Sequence, residues 1–310
     1  MKAIVIDEYG SADRLHEAEL EVPKIEADEV LVKIAATSIN PIDWKARLGM
    51  LKPMFDWAFP IVLGWDLSGT ITEVGKDVKS FRVGDEVFAR PDIYKDGKRG
   101  TYAEFAAVKE DKLALKPENV SFEEAAAIPL AGLTAWQVIV DRLKVKKGEK
   151  VLIQAGAGGV GIFAIQIAKY LGAYVATTAS PKNNELLKKL GADEVIDYHT
   201  LSVANVLKDY DAVFDTVDQI DEGLSTLKPA GRLVSIAGQP TEKQQSVTQS
   251  VSTWWLQPNG EELSRLGELV ARGIVRVVVD SVFDLTTSGL QEAHQRSESH
   301  HVQGKIIIKA

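Results

Sequence analysis

The chain has 310 residues, of which 45% are hydrophobic and 26% charged, with a net charge of −8 and no cysteine. That length suggests two domains of ordinary soluble composition. The acidic balance, with no long run of Lys and Arg, sets aside nucleic acid and an anionic membrane surface as main partners. The missing cysteines remove disulfides, thiol nucleophiles and every zinc site that needs a thiolate.

The opening MKAIVIDEYG turns acidic after a few apolar residues, which is not the pattern of a signal peptide. No apolar run reaches the roughly 20 residues of a membrane span. The cytoplasm is the expected compartment.

In chain order, the first half reads as β-rich. Strands are expected over Lys2 to Asp7, Glu29 to Ser38, Gly69 to Val74, Asp85 to Ala89 and Thr101 to Lys109, with turns at Gly75, Gly84, Gly97 and Gly100. Asn40-Pro41-Ile-Asp43 is a helix start. This spacing suits an irregular antiparallel barrel or sandwich. Ser121-Phe-Glu-Glu124 is a capping box and opens a helical stretch over Ala125 to Leu143, interrupted near Pro129.

Strand and helix then alternate. Strands are expected over Val151 to Ile153, Tyr174 to Thr178, Glu194 to Ile196, Ala212 to Phe214 and Gly231 to Ile236, with helices from Gly159 and over Pro181 to Leu190. This rhythm predicts an α/β fold with a doubly wound parallel sheet. Thr241 to Ser252 is polar and reads as a loop or edge strand. Glu261 to Ala271 and Ser288 to Glu298 read as helices, Val275 to Val279 as a strand, and Lys305 to Lys309 as a buried final strand.

The stretch VLIQAGAGGVGIFAIQIAKYLG, from Val151 to Gly172, organises the second half. A short strand runs into Gly156, Gly158, Gly159, Val160 and Gly161, and an apolar helix follows. The first glycine permits a tight turn, the second lets backbone approach a pyrophosphate, and the third lets helix and strand pack closely. The helix start aims free N–H groups at that pyrophosphate.

An acid about 20 residues further on would hold a ribose 2′-hydroxyl. Here the next strand ends in Ala179-Ser180-Pro181-Lys182, with no acid. Ser180 and Lys182 suit a 2′-phosphate, so NADPH is favoured over NADH. Ser180 is also a good N-cap and Lys182 a solvated lysine, and both readings are compatible. Ala237 and Gly238 follow a strand's C-terminal end, where ligands collect in open α/β sheets.

Several landmarks share one order: NPxD at Asn40, FPIVLGWDLSG from Phe59, TYAEF from Thr101, IPLAGLTAW from Ile128, GAGGVG, KKLGADEVIDY ending at Tyr198, GRLVSIAG from Gly231 and the terminal GKIII. Together they resemble the medium-chain dehydrogenase/reductase superfamily in its zinc-independent quinone oxidoreductase branch, the neighbourhood of ζ-crystallin and plant enone oxidoreductases. The resemblance implies a GroES-like substrate domain (1–124 and 276–310), a Rossmann NADPH-binding domain (125–275) and a homodimer.

It also places Asn40 and Trp65 where zinc-dependent relatives carry metal ligands. Asn and Trp cannot replace a thiolate and an imidazole on zinc. A metal-free site disfavours alcohol oxidation and favours reduction of a quinone or an α,β-unsaturated carbonyl. Asn40 is the first candidate to donate to the acceptor's oxygen, and it is equally a natural N-cap before proline. The resemblance puts Trp65 on the cleft wall, Thr134 near the nicotinamide, Tyr198 near the adenosine phosphate and Lys305 close to the cofactor. Each has an ordinary structural alternative. An enoyl or alkenal reductase, or a non-catalytic NADPH-binding protein, stays open beside the quinone reductase. The five histidines form no constellation, and none is assigned a role.

Overall fold

The computed structural model describes residues 1–92 and 96–310. The chain divides into two compact units. The first is Met1–Leu133 with Pro258–Arg272 and Val279–Ala310, and the second is Thr134–Gln257 with Gly273–Val278.

The first unit opens with β1 (Lys2–Ile6), β2 (His16–Glu19), β3 (Glu29–Ile39) and helix α1 (Pro41–Arg47). Then come β4 (Ile61–Val62), β5 (Leu67–Val74), β6 (Glu86–Ala89), β7 (Phe105–Lys109) and β8 (Leu113–Leu115), followed by α2 (Phe122–Ala127) and the start of α3 (Pro129–Trp136), whose residues from Thr134 on belong to the second unit. The chain's last strands, β15 and β16, complete a seven-stranded sheet. Its order is β15 (Val279–Asp284), β16 (Lys305–Lys309), β3, β5, β6, β8, with β7 also on β3. A three-stranded antiparallel sheet, β2-β1-β4, accompanies it.

Alternating apolar residues make the core of the larger sheet. Val30, Val32 and Ile34 of β3 meet Leu67 and Ile71 of β5 and Val87 of β6 in one buried cluster.

The second unit carries six parallel strands. They are β9 (Lys150–Ile153), β10 (Tyr174–Ala179), β11 (Glu194–Asp197), β12 (Tyr210–Asp215), β13 (Leu227–Ser235) and β14 (Ser250–Thr253). The spatial order is β11-β10-β9-β12-β13-β14. Counted from β9, this is the 3-2-1-4-5-6 order of dinucleotide-binding sheets, with its switch point between β9 and β12. The linking helices are α4 (Gly159–Tyr170), α5 (Asn184–Lys189), α6 (Val203–Val206), α7 (Ile220–Thr226) and α8 (Glu242–Gln245). Helix α4 is buried continuously from Gly161 to Ala168, as its nearly all-apolar sequence requires. Beyond β14, α9 (Gly260–Ala271) and α10 (Thr287–Glu298) belong to the first unit.

Two expectations are corrected. The strand expected from Thr101 begins only at Phe105, because Tyr102 gives its carbonyl to Ile4 N and its N–H to Leu63 O instead of running in the β7 ladder. The strand expected over Val275 to Val279 starts at Val279. Ahead of it, both backbone groups of Arg276 are taken by the Gln166 amide: Nε2 donates to Arg276 O at 3.0 Å, and Oε1 accepts from Arg276 N at 2.8 Å. A side chain thus supplies what a neighbouring strand would have supplied. The stretch over Ala125 to Leu143 is helical and interrupted at Pro129 as expected, dividing into α2 and α3, and it ends in a π-helical turn, Gln137–Arg142. Pro129 has no N–H to continue α2 and sits instead at the first position of α3.

Candidate active site

The residues singled out in the sequence fall into two groups. In the first unit, Asn40 ends β3 and precedes α1, where Asp43 Oδ2 accepts from Asn40 N at 2.6 Å. This is one half of a capping box. The Asn40 amide also has partners outside the helix. Its Nδ2 donates to Asp66 Oδ2 at 2.7 Å, and its Oδ1 accepts from Lys305 Nζ. An amide held at both ends has one orientation, with one Nδ2 hydrogen still uncommitted to Asp66.

Asp66 is the hub. Its carboxylate accepts from four donors: Leu130 N at 2.7 Å, Ser38 Oγ at 2.5 Å, Asn40 Nδ2, and Lys305 Nζ at 3.4 Å. Lys305 is 2% exposed, and its ammonium reaches Ile39 O at 3.1 Å besides Asn40 and Asp66. Burial lowers the Lys305 pKa, opposed by the Asp66 and Asp43 carboxylates. The cofactor role implied for Lys305 thus falls on a side chain already spent within the first unit.

Trp65 is also buried, its ring 6.1 Å from that of Trp57, beside a cavity of only about 10 Å³. Such a space holds about one water. Thr134 is buried in α3.

Behind Asn40 lies a second buried set that sequence reading missed. Tyr102 Oη meets His294 Nε2 at 3.1 Å, and Arg47 Nη2 donates to Glu298 Oε1 at 2.5 Å. Asp43, fully buried, has its pKa pushed up to about 7 by burial, against the Asn40 N–H bond. His294 is pushed down to about 3 by burial and by the Arg47 guanidinium. In the folded protein Asp43 therefore favours its neutral form below about pH 7, and His294 favours its neutral form at neutral pH.

In the second unit the glycine loop joins β9 to α4, and sterics dictate its residues. A Cβ on Gly156 would stand 2.1 Å from Thr177 Oγ1, and one on Gly161 would stand 2.5 Å from Ala155 O. On Gly158 it would meet only Ala155 O at 3.4 Å, so that side of the loop is open to a ligand. Ala155 itself sits at φ +54°, a left-handed conformation that costs a non-glycine residue on the order of 1 kcal/mol and clusters at functional sites. Two threonines hold the loop down: Ala155 N donates to Thr178 Oγ1 at 2.9 Å, and Thr177 Oγ1 donates to Ile153 O at 2.6 Å.

Helix α4 begins at Gly159 with no side chain capping it, which leaves the N–H groups of Gly159, Val160 and Gly161 facing the loop. These residues fit a pyrophosphate. Ala237 N and Gly238 N both donate to Ser235 Oγ, at 3.2 and 3.0 Å, so they shape the end of β13 with their N–H groups committed.

At the end of β10, Ser180 does not cap the short helix that follows it. Its Oγ lies 3.2 Å from Tyr198 Oη and 3.2 Å from His199 Nε2. Lys182 is exposed on the same turn, and Tyr198 is half-exposed. Thr178, Tyr198, His199, Ser202, Gln219 and Glu222 line an open cavity of about 230 Å³. The structure thus brings Ser180 and Tyr198 together and adds His199, which the sequence left unassigned. Its signal was there, directly after Tyr198, but the contact with Ser180 spans 19 positions.

A glycine loop on a 3-2-1-4-5-6 parallel sheet, with a second, β-rich unit built from both ends of the chain, defines the class of two-domain dinucleotide oxidoreductases. Comparisons narrow the class. Residues 26–118 match the model of the alcohol dehydrogenase GroES-like domain, and residues 190–308 match that of a zinc-binding dehydrogenase.

The NADPH-dependent alkenal/one oxidoreductase of Arabidopsis thaliana chloroplasts is 37% identical over 314 residues, 99% of this chain and 79% of that protein. The quinone oxidoreductase of Coxiella burnetii has a TM-score of 0.91 at 36% identity, covering 100% of this chain and 99% of that one. The Escherichia coli quinone oxidoreductase in complex with NADPH has a TM-score of 0.88 at 28% identity, with both chains fully covered. The chain belongs to the medium-chain dehydrogenase/reductase family, in its quinone oxidoreductase branch.

Proposed function

We propose that the protein is an NADPH-dependent, zinc-independent reductase of quinones and related α,β-unsaturated carbonyl compounds. One observation carries the reading: the glycine loop opens a dinucleotide-type sheet whose second strand ends in Ser180 and Lys182 instead of an acid. Gly156, Gly158, Gly159, Val160 and Gly161 hold the pyrophosphate, while Ser180, Lys182 and Tyr198 receive the 2′-phosphate. Ala237 and Gly238 shape the loop after β13.

Bound NADPH supplies the hydride, and the protein's part is to bind, orient and exclude water. Asn40 offers its remaining N–H to the acceptor's oxygen, where negative charge develops. Asp66 and Lys305 position that amide from behind. Trp65 backs the acceptor side and Thr134 the nicotinamide side. The donor set argues against zinc: Asp66 is saturated by four donors, one of them an ammonium, and Asn40 and Trp65 offer no thiolate or imidazole.

By function, the substrate-binding part is 1–124 with 276–310, and the cofactor part is 125–275. Helix α9, inside the second range, makes its contacts with β8 in the first unit. No helix among the described residues is long and apolar enough to cross a membrane. The cysteine-free, acidic composition supports the cytoplasm. A homodimer completes the reading, supported by the half-buried strand β14 at the edge of the parallel sheet.

The test is NADPH oxidation against 1,4-benzoquinone, 9,10-phenanthrenequinone and a simple enone, with NADH and EDTA controls. Turnover that prefers NADPH and survives EDTA is expected, and the ranking of acceptors separates quinone from enone. Cofactor binding without turnover on any acceptor would sink the enzyme reading.

A further inference from the structure

The turn after β11 presents an imidazole where the proposed cofactor site meets Ser180. His199 Nε2 lies 3.2 Å from Ser180 Oγ, and the His199 ring leans on Tyr198 with centroids 4.1 Å apart. The ring is exposed and lines the open cavity of about 230 Å³. Its backbone is pinned, because His199 N donates to Asp197 Oδ1 at 3.0 Å. The side chain is therefore both accessible and positioned. Ser180 stands at the end of the second strand of the dinucleotide sheet, which is where the adenosine ribose carries its 2′-substituent.

We propose that His199 is a protonation-dependent ligand of the cofactor's 2′-phosphate, so that the preference for NADP over NAD strengthens as the pH falls. The inference rests on the dinucleotide reading of the glycine loop and adds a specificity element to it.

The charged and titratable groups around the imidazole come from every element packed there. Asp197, on its own turn, is engaged by His199 N and by Thr200 Oγ1 at 3.2 Å. Glu222, on α7, accepts from Ser202 Oγ at 2.9 Å across the cavity. The Tyr198 phenol lies against the ring, and Lys182 stands on the Ser180 turn. The two carboxylates thus already have hydrogen-bond donors, whereas an imidazolium beside Ser180 has only a neutral hydroxyl. A phosphate dianion there gains a charge-assisted bond that neutral imidazole does not give. Imidazole is the side chain whose charge ordinarily changes between about pH 5 and 8.

The experiment titrates NADP⁺ and NAD⁺ into the full-length protein by calorimetry near pH 6.5 and near pH 8.5, above the phosphate's own ionisation near pH 6. Wild type and His199→Gln are compared, because glutamine keeps a polar donor and removes the titration. The expected result is a wild-type preference for NADP⁺ on the order of tenfold larger at the lower pH, and a His199→Gln preference that does not change with pH. NAD⁺ affinity stays the same in both proteins. A wild-type preference that is flat with pH overturns the proposal. So does a pH-dependent preference that survives His199→Gln, or an equal loss for both nucleotides in the variant. If wild type binds neither nucleotide, the dinucleotide reading itself fails, an outcome distinct from normal NADP⁺ binding with no role for His199.

Discussion

The polar centre of the first unit and the nucleotide loop of the second are satisfied in opposite ways. Around Asp66 the charges answer one another: a carboxylate with four donors and an ammonium with three acceptors, at 0% and 2% exposure. Around Gly158 and Ser180 the polar groups stay within reach of solvent. Helix α4 has no cap, Ser180 caps nothing, and Lys182 and Tyr198 face solvent. The difference teaches how the proposed work is divided. The first unit spends its buried charge on fixing one amide, that of Asn40, in one orientation. The second keeps donors free for a ligand that brings its own negative charge.

The sharpest way to break that comparison is to remove the ammonium. Lys305→Met keeps the length and apolar stem but leaves Asp66 with three hydrogen bonds and without the ammonium bonded to it. Taking one partner from a buried pair costs about 3–5 kcal/mol. Thermal or denaturant unfolding should register a loss of that size, while isolated mutations at Lys182 or Tyr198 should not. A Lys305→Met variant as stable as wild type would mean that the cluster is not the closed network described here.

A pH series sharpens the picture of the second buried set. The Asp43 pKa, raised to about 7, lies above its unfolded value near 4. Its contribution to stability is therefore full below about pH 4 and is lost as pH rises through 7. The His294 pKa, lowered to about 3, lies below its unfolded value near 6.5, so its contribution is full above about pH 6.5 and is lost as pH falls toward 3.

Between about pH 4 and 6.5 the two slopes have opposite signs and nearly cancel. Asp43→Asn should uncover the histidine alone, with stability falling on acidification by up to about 1.4 kcal/mol per pH unit. His294→Gln should uncover the aspartate, with stability falling as pH rises across the same window. Denaturant midpoints measured at several pH values in this window check both. Parallel curves for the two variants would show that these groups do not titrate as their burial implies.

The two regions were also unequally legible in the sequence. The glycine loop could be read because its constraint is local: four missing Cβ atoms and a helix start fall within six residues, and their spacing is set by the turn itself. The doubly wound sheet was legible for the same reason, since each strand and crossover helix carries its own periodicity. The Asp66 network joins residues 239 positions apart, and the Tyr102–His294 contact spans 192. No local pattern encodes such pairings.

Asn40 shows the consequence. Its neighbours Pro41 and Asp43 argued for an N-cap, and Asp43 accepts from Asn40 N as that cap requires. The amide's actual partners, Asp66 and Lys305, are set by how the last strand, β16, returns beside β3. Gln166 misled in the same way, because its bonds to Arg276 replace the ladder of a strand that the valine run had suggested.

The smallest expected effect tests the open side of the comparison. Lys182 is exposed on the turn after β10, so Lys182→Ala should leave the unfolding curve of the nucleotide-free protein unchanged. If its ammonium meets the 2′-phosphate, NADP⁺ affinity falls on the order of tenfold while NAD⁺ affinity holds, because only the former ligand loses a charge-assisted bond. That loss should be alike near pH 6.5 and near pH 8.5, which separates it from any effect of His199. Equal losses for NADP⁺ and NAD⁺ would move Lys182 off the phosphate. A shift in the unfolding curve without ligand would give the lysine a structural part that its exposure does not suggest.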